Sequence, residues 1–470
     1  MNSVQSIDSK PTIWSFVREA LRGSHRDFTT GNLNQAILAL AIPMVLEMVL
    51  ESLFAVVDVF WVGRLGANAV ATVGLTESLL TLVFAVAMGL GMSTTAMVAR
   101  RIGEKDAAGA AVAAVQAIAL GLLASALIGV PCFVFAPDLL KLMGASPEIV
   151  ATGSGYARIA LGGSGVVLML FLNNAIFRGA GDAAIAMRLL WVSNAINLVL
   201  DPCLIFGLGP FPRLGVMGAA VATLSGRSIG MLFQFYRLLK GSERIQILRG
   251  QIRLEPRVML RLLRVSLTAM AQFTIAHASW IGLVRIVSLF GANAIAGYTI
   301  AIRIVIFILL PSWGLSNAAA TMVGQNLGAG RPERAASAVW RTGFYNMLFL
   351  GGSGILFVLF AEWIAGLFTS DPAVVGLAAS CLRIISYGNV AYAYGMVMLQ
   401  SFNGAGDTLT PTIVNLFGFW LLEIPVAYWL AVPAGLHSNG VYFSIVIAQA
   451  AMAGASILLF KQGRWRRQRI

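Results

Sequence analysis

Twelve mainly apolar stretches follow one another along this 470-residue chain, at approximately 37–62, 70–98, 108–136, 150–176, 186–208, 216–238, 264–289, 296–325, 335–360, 374–400, 411–432 and 440–461. Each is long enough for a helix to cross about 30 Å of hydrocarbon. None shows the two-residue alternation of a transmembrane barrel strand. With 58% apolar and only 11% charged residues, the composition excludes an ordinary soluble domain. The expected fold class is an all-α, multi-pass integral membrane protein of twelve transmembrane helices.

The net charge of +13 would fit a nucleic-acid ligand, but the placement of the basic residues points to the lipid bilayer instead. They concentrate in the two tails and the even-numbered connections, leaving Arg64, Lys141 and Arg213 in the odd-numbered ones. This asymmetry places both termini in the cytoplasm, in the inner (plasma) membrane if the source is bacterial. The closing run "KQGRWRRQRI" reads as a membrane-surface anchor. Near the N-terminus, Ile13, Phe16, Val17, Ala20 and Leu21 form one stripe with Arg18 and Arg22 off it, as in a short interfacial helix. The first apolar run is span-length, so no cleavable signal is expected. Cys132, Cys203 and Cys381 lack pairing or metal-ligand spacing and read as packing residues.

The chain repeats itself at an offset of 225 residues. "GANAVATVG" from Gly66 aligns with "GANAIAGYT" from Gly291, Pro147 with Pro372, Arg158-Ile159 with Arg383-Ile384, and "FRGAGD" with "FNGAGD". Six spans per repeat give both halves the same orientation, related by an axis along the membrane normal. The expected organisation is an N-terminal tail (1–36), a first lobe (37–239), a basic linker (240–257), a second lobe (258–461) and a basic tail (462–470).

"DVFWVGRLG" closing the first span, "VGQNLGAGRPERA" after the eighth, and the paired "RGAGD" and "NGAGD" resemble the multidrug and toxin extrusion (MATE) family over nearly the whole chain. The resemblance implies a V-shaped pair of six-helix lobes that exports drug-like organic cations in exchange for protons or sodium. It further implies, for the branch with its ion site in the first lobe, that Asp58, Asn197, Asp201 and Thr223 form that site.

Buried acids point to the same region. A carboxylate at a span centre costs about 3 kcal/mol or more, so such residues face the bundle interior and tend to be functional. Glu47, Glu51 and Asp58 share ~40° of one helix face, and two neighbouring acids favour sharing a proton or binding a cation. Asn194, Asn197 and Asp201 share ~60° of another face, so both amides can orient the carboxylate. Pro202 removes an amide hydrogen beside Asp201 and reads as a hinge. In the second lobe the equivalents of the three acids are Gln272, Ala276 and Leu283, so the ion site is expected on one side only. Glu47, Glu51, Tyr298, Tyr387, Tyr392, Tyr394 and Glu423 are the candidates for a substrate cavity. Glu77 is expected to pair with an arginine, and His277 to be a satisfied buried group.

The glycine motifs read as structural: "GGSG" at 162 and 351 for close packing, "GAGD" for a glycine turn followed by an aspartate cap. No Walker motif accompanies them, which disfavours ATP-driven transport. The expected activity is secondary antiport of a lipophilic organic cation for H⁺ or Na⁺, with no cofactor and no obligatory protein partner. A flippase of lipid-linked saccharides on a related fold is the alternative, for which Arg285 and Arg303 leave room. A membrane-embedded enzyme would need a nucleophile-base pair or metal cluster that three scattered histidines do not supply. The major facilitator class is disfavoured because "ARRIGEKD" lacks its Gly and Asp-Arg pattern.

Overall fold

A computed structural model describes residues 13–23, 26–241, 244–468 and 470. The first half holds α1 (Ile13–Arg22), α2 (Leu33–Gly63), α3 (Ala67–Gly103), α4 (Ala107–Val134), α5 (Ala136–Leu142), α6 (Pro147–Gly162), α7 (Ser164–Ala180), α8 (Ala183–Phe206) and α9 (Val216–Lys240). The second holds α10 (Pro256–Val287), α11 (Ala292–Gly328), α12 (Pro332–Gly366), α13 (Pro372–Tyr387), α14 (Asn389–Ala405), α15 (Leu409–Asn415), α16 (Ile424–Ala431) and α17 (His437–Lys461). Among the described residues there is no strand. Apolar runs with no water for their amides must satisfy the backbone internally, which a helix does.

Among the described residues, eleven helical stretches are long and apolar enough to span a bilayer, and α13 with α14, bent by 60°, supplies a twelfth. That bend falls at Gly388, and its repeat counterpart Gly163 separates α6 from α7. The eleventh span holds a feature that periodicity does not reveal: Leu416–Glu423 winds as a π-helix between α15 and α16, a form found mostly as short insertions at functional sites.

Caps delimit several spans, although of the two "GAGD" aspartates Asp407 caps its helix and Asp182 makes no side-chain cap hydrogen bond. Asn32 accepts from the amides of Asn34 and Gln35, Asp106 from Gly109, and Asp407 of "NGAGD" from Thr410. Gly181 and Gly406 both take the left-handed conformation, each with φ of 86°. "GGSG" differs between its two copies. Gly162, Gly163 and Gly165 meet Phe133, Leu224 and Ser125, whereas around Gly352 there is open space and only Gly354 of the second copy approaches a neighbouring helix tightly, at Asn389 and Ser386.

Two lobes, α2–α9 and α10–α17, meet at the end of the bundle that carries both tails. Ser93 and Ser266 share a hydrogen bond of 2.6 Å, Thr321 donates to the carbonyl of Arg178, and Gln325 to that of Gly179. Among the described residues, the hydrogen bonds between lobes all lie in this half of the bundle. Towards the other end Leu53, Val56 and Phe60 of α2 and Leu82 of α3 are exposed.

The basic C-terminal segment differs from the membrane-surface anchor that its charge suggests. Trp465 is fully buried and stacks on Phe460 at 4.6 Å, Arg466 pairs with Glu333 at 2.6 Å, and the Gln468 carbonyl accepts from Arg100 of the first lobe at 2.6 Å. The aromatic ring outweighs the charge and draws the segment onto the protein. In α1, Ala20 is buried while Trp14 is exposed; residues 1–12 lie outside the described residues.

Candidate functional site

The acid of the α8 stretch "NAINLVLDP" lies within a buried cluster. Asp201 is fully buried. The Asn197 amide donates to Asp201 Oδ1 at 3.1 Å and to Thr223 Oγ1 of α9 at 3.1 Å. The other carboxylate oxygen, Asp201 Oδ2, and the Asn197 Oδ1 are buried with no hydrogen-bond partner. Two buried acceptor oxygens one turn apart on the same helix are therefore left without a donor. Oxygens of this hard type accept a proton or a small cation such as Na⁺. Asp58 lies close enough for its charge to act on Asp201, and the Tyr156 hydroxyl of α6 lies within electrostatic reach of Asp58, Glu77 and Asp201. Asp58, Asn197, Asp201 and Thr223 are thus brought together from α2, α8 and α9. Among the described residues, no group of three His, Cys, Asp or Glu side chains is placed to hold a metal ion.

Two expectations for this region need correction. Asn194 does not bond to Asp201; it donates to the carbonyl of Leu50 at 3.3 Å and so ties α8 to α2. Beside Asp201, α8 continues through Pro202 to Phe206 and ends at Gly207 in the left-handed conformation. Glu77 has no ion pair among the described residues and is exposed, although Arg303 of the opposite lobe lies within electrostatic reach.

Glu47 and Glu51 also differ from the shared-proton or cation-binding pair suggested by their spacing. Each has its own arginine: Glu47 accepts from Arg178 at 2.9 Å and from Asn174 at 3.0 Å, and Glu51 accepts from Arg227 at 3.1 Å. Gln234 in turn donates to Asn174 at 2.6 Å, and Arg227 lies over the Phe54 ring. Glu47 and Glu51 are therefore compensated within the first lobe, whereas Asp58 and Asp201 have no ion pair among the described residues. Sequence reasoning passed over Arg178, Arg227 and Tyr156. An arginine in the middle of the sixth span was the available signal for Arg227; the spacing of "GYAR" marks nothing comparable for Tyr156.

The substrate-cavity candidates of the second lobe separate. A cavity of ≈ 340 Å³ is walled by Phe273, His277, Trp280, Trp313, Tyr392 and Phe419. Gln272, Asn415 and Gln449 also line it, each with a buried side-chain oxygen lacking a partner. Of the four tyrosines, Tyr392 alone lies on this wall. Tyr298 is buried and stacks with Tyr442, Tyr394 packs on Trp340 and Gly343, and Tyr387 is exposed at the α13–α14 bend. Aromatic residues serve helix packing as readily as ligand binding, which the sequence does not distinguish. His277 is exposed on the cavity wall rather than buried, stacked on Phe273 at 3.8 Å. Glu423, the last residue of the π-helical segment, is buried near Tyr298 and Tyr392, and its Oε2 has no partner.

Comparison with known proteins matches this architecture. The MatE family matches residues 43–203 and 268–429, two segments whose starts lie 225 residues apart. A probable multidrug resistance protein NorM of Thermotoga maritima is 27% identical over 93% of this chain and 94% of its own. An FAD transporter of Shewanella oneidensis is 25% identical over 84% of this chain and 87% of its own. The solved outward-facing conformation of a multidrug resistance MATE family transporter of the MOP superfamily has 28% identity and a TM-score of 0.87, over 94% of this chain and 98% of that one. Two matches in the register of the internal repeat, on a twelve-span bundle of the same shape, make this chain a member of the MatE family of membrane transporters.

Proposed function

We propose that the chain is a secondary active multidrug exporter, which exchanges lipophilic organic cations for H⁺ or Na⁺ by alternating access. The observation that carries this reading is the buried Asp201 carboxylate, with one oxygen held by Asn197 and the other free beside Asp58. An ion entering there neutralises buried charge and so favours the conformation that accommodates it. Asp58, Asn197, Asp201 and Thr223 are the coupling residues, Asn194 and Pro202 shape the helix that bears Asp201, and the aromatic cavity beside Tyr392 receives the substrate body. The end bearing both tails is the cytoplasmic one, so lobes joined there and parted beyond correspond to an outward-open state in the inner membrane. The available driving force is about 1.4 kcal/mol per pH unit and ~2.3 kcal/mol per charge per 100 mV. Cells sensitised to cationic dyes and expressing the chain test this: accumulation falls with the native protein and stays high with Asp201→Asn. Equal protection by both would contradict it.

A second reading is transport of an amphipathic anion, a flavin nucleotide or a lipid-linked saccharide. It is favoured by the FAD transporter among the relatives. Arg285 and Arg303 add to it: both are exposed and have no ion pair among the described residues. Export of flavin nucleotide from the same cells, unaffected by Asp201→Asn, would support this reading over the first.

A further inference from the structure

The first turns of α10 carry two adjacent stripes of opposite character. Arg257, Arg261 and Arg264 fall within ~60° of one helix face, while Leu260, Leu263 and Leu267 fall on the next face. All three leucines are exposed, as a helix that enters lipid requires. Arg261 and Arg264 are exposed as well, and neither guanidinium has a hydrogen bond or an ion pair among the described residues.

Both arginines line a groove of ≈ 620 Å³, bounded also by Thr268, by Asp407, Thr408 and Leu409 at the start of α15, and by Gln468 and Ile470 of the C-terminal segment. Arg261 and Ile470 are shared with an adjoining cavity of ≈ 270 Å³ that contains Arg101 and Arg253. The acids nearby are already engaged. Asp407 caps Thr410 through both oxygens, Glu255 pairs with Arg253 at 2.7 Å, and Asp106 caps Gly109. Among the described residues, neither Arg261 nor Arg264 has an acidic side chain paired with it in the larger groove.

We propose that this groove is a binding site for the phosphate headgroup of an anionic phospholipid, held by Arg261 and Arg264 with its acyl chains along Leu260, Leu263 and Leu267. Guanidinium groups match phosphate oxygens in pairs, and basic pockets between helices at a membrane surface suit such headgroups. The apolar stripe beside the charges selects a lipid over free phosphate, because only a lipid uses both faces. Its position has a consequence for the lobes. Gln468, on the groove wall, takes the hydrogen bond from Arg100 of the first lobe, so a bound headgroup braces the segment that bridges the two halves at this end.

The test uses the full-length purified protein, titrated in detergent with phosphatidylglycerol, phosphatidylcholine or inorganic phosphate, with bound lipid counted by native mass spectrometry. Phosphatidylglycerol binds at least ten-fold more tightly than phosphatidylcholine, and Arg261→Gln/Arg264→Gln brings the two to parity. Lys240→Gln, which removes a charge outside the groove, keeps the preference, and millimolar phosphate does not displace the lipid. Parity in the native protein, or a preference that survives the double variant while its thermal unfolding is unchanged, overturns the proposal. Displacement by phosphate assigns the groove to a free anion and overturns the lipid source. Failure of drug export would leave all of these outcomes intact, since the groove is independent of the ion site.

Discussion

Gly103 packs against the backbone carbonyl of Gln325, while Gly328, its counterpart in the repeat, packs against the carbonyl of Arg100, itself the counterpart of Gln325. Neither glycine has room for a Cβ. The pseudo-twofold axis thus passes through a reciprocal backbone contact that closes the tail end of the bundle. Gly103→Val or Gly328→Val separates the lobes there without disturbing either core. Spin labels across this end should move apart and export should fall at least ten-fold; unchanged distances with normal export would show that the contact is not a gate.

Glu47 and Arg178 are both nearly enclosed, so removing one partner strands a buried charge. Arg178→Met should lower stability by about 3–5 kcal/mol. The double variant Glu47→Met/Arg178→Met should recover much of the loss, as apolar replacements of buried pairs do. Thermal unfolding of the three proteins in one detergent checks this, and a double variant no better than the single one would count against the pairing.

Glu423 offers the contrasting case. Its carboxyl is buried with one oxygen unpartnered and, among the described residues, no arginine or lysine in an ion pair with it, so Glu423→Gln keeps the shape and breaks no ion pair. The variant should be as stable as the native protein or more so. A loss of several degrees would reveal a partner for this acid.

Most of the fold was legible from apolar spans and the offset of 225 residues, because lipid forces continuous helices and repeats conserve register. The Asp201 cluster was legible in part. The motif "NAINLVLDP" put Asn197 and Asp201 on one face, but the same periodicity put Asn194 there too, and only the packing of α8 on α2 sends that amide to Leu50. Glu47 and Glu51 looked like a repelling pair because their arginines come from spans over a hundred residues away. The π-helical turn and the folded-back Trp465 left no periodic trace.

Asp27, outside the spans, predicts an acid limit. Burial alone would raise its carboxyl, but hydrogen bonds from Lys105 and Thr29 outweigh that and hold it at about 2. A group depressed in the folded state contributes stability above its ordinary value of 3.8, and that contribution is lost as pH falls towards about 2. The native protein should therefore lose unfolding temperature across this window more steeply than Asp27→Asn. Parallel curves would mean that the Lys105 contact adds nothing.

The coupling claim rests on Asp201. Uptake of a fluorescent organic cation into proteoliposomes, under an imposed pH gradient and separately under an imposed Na⁺ gradient, should be driven by one of the two and abolished by Asp201→Asn. Drug-dependent ion flux that persists undiminished in the Asp201→Asn protein would contradict the account.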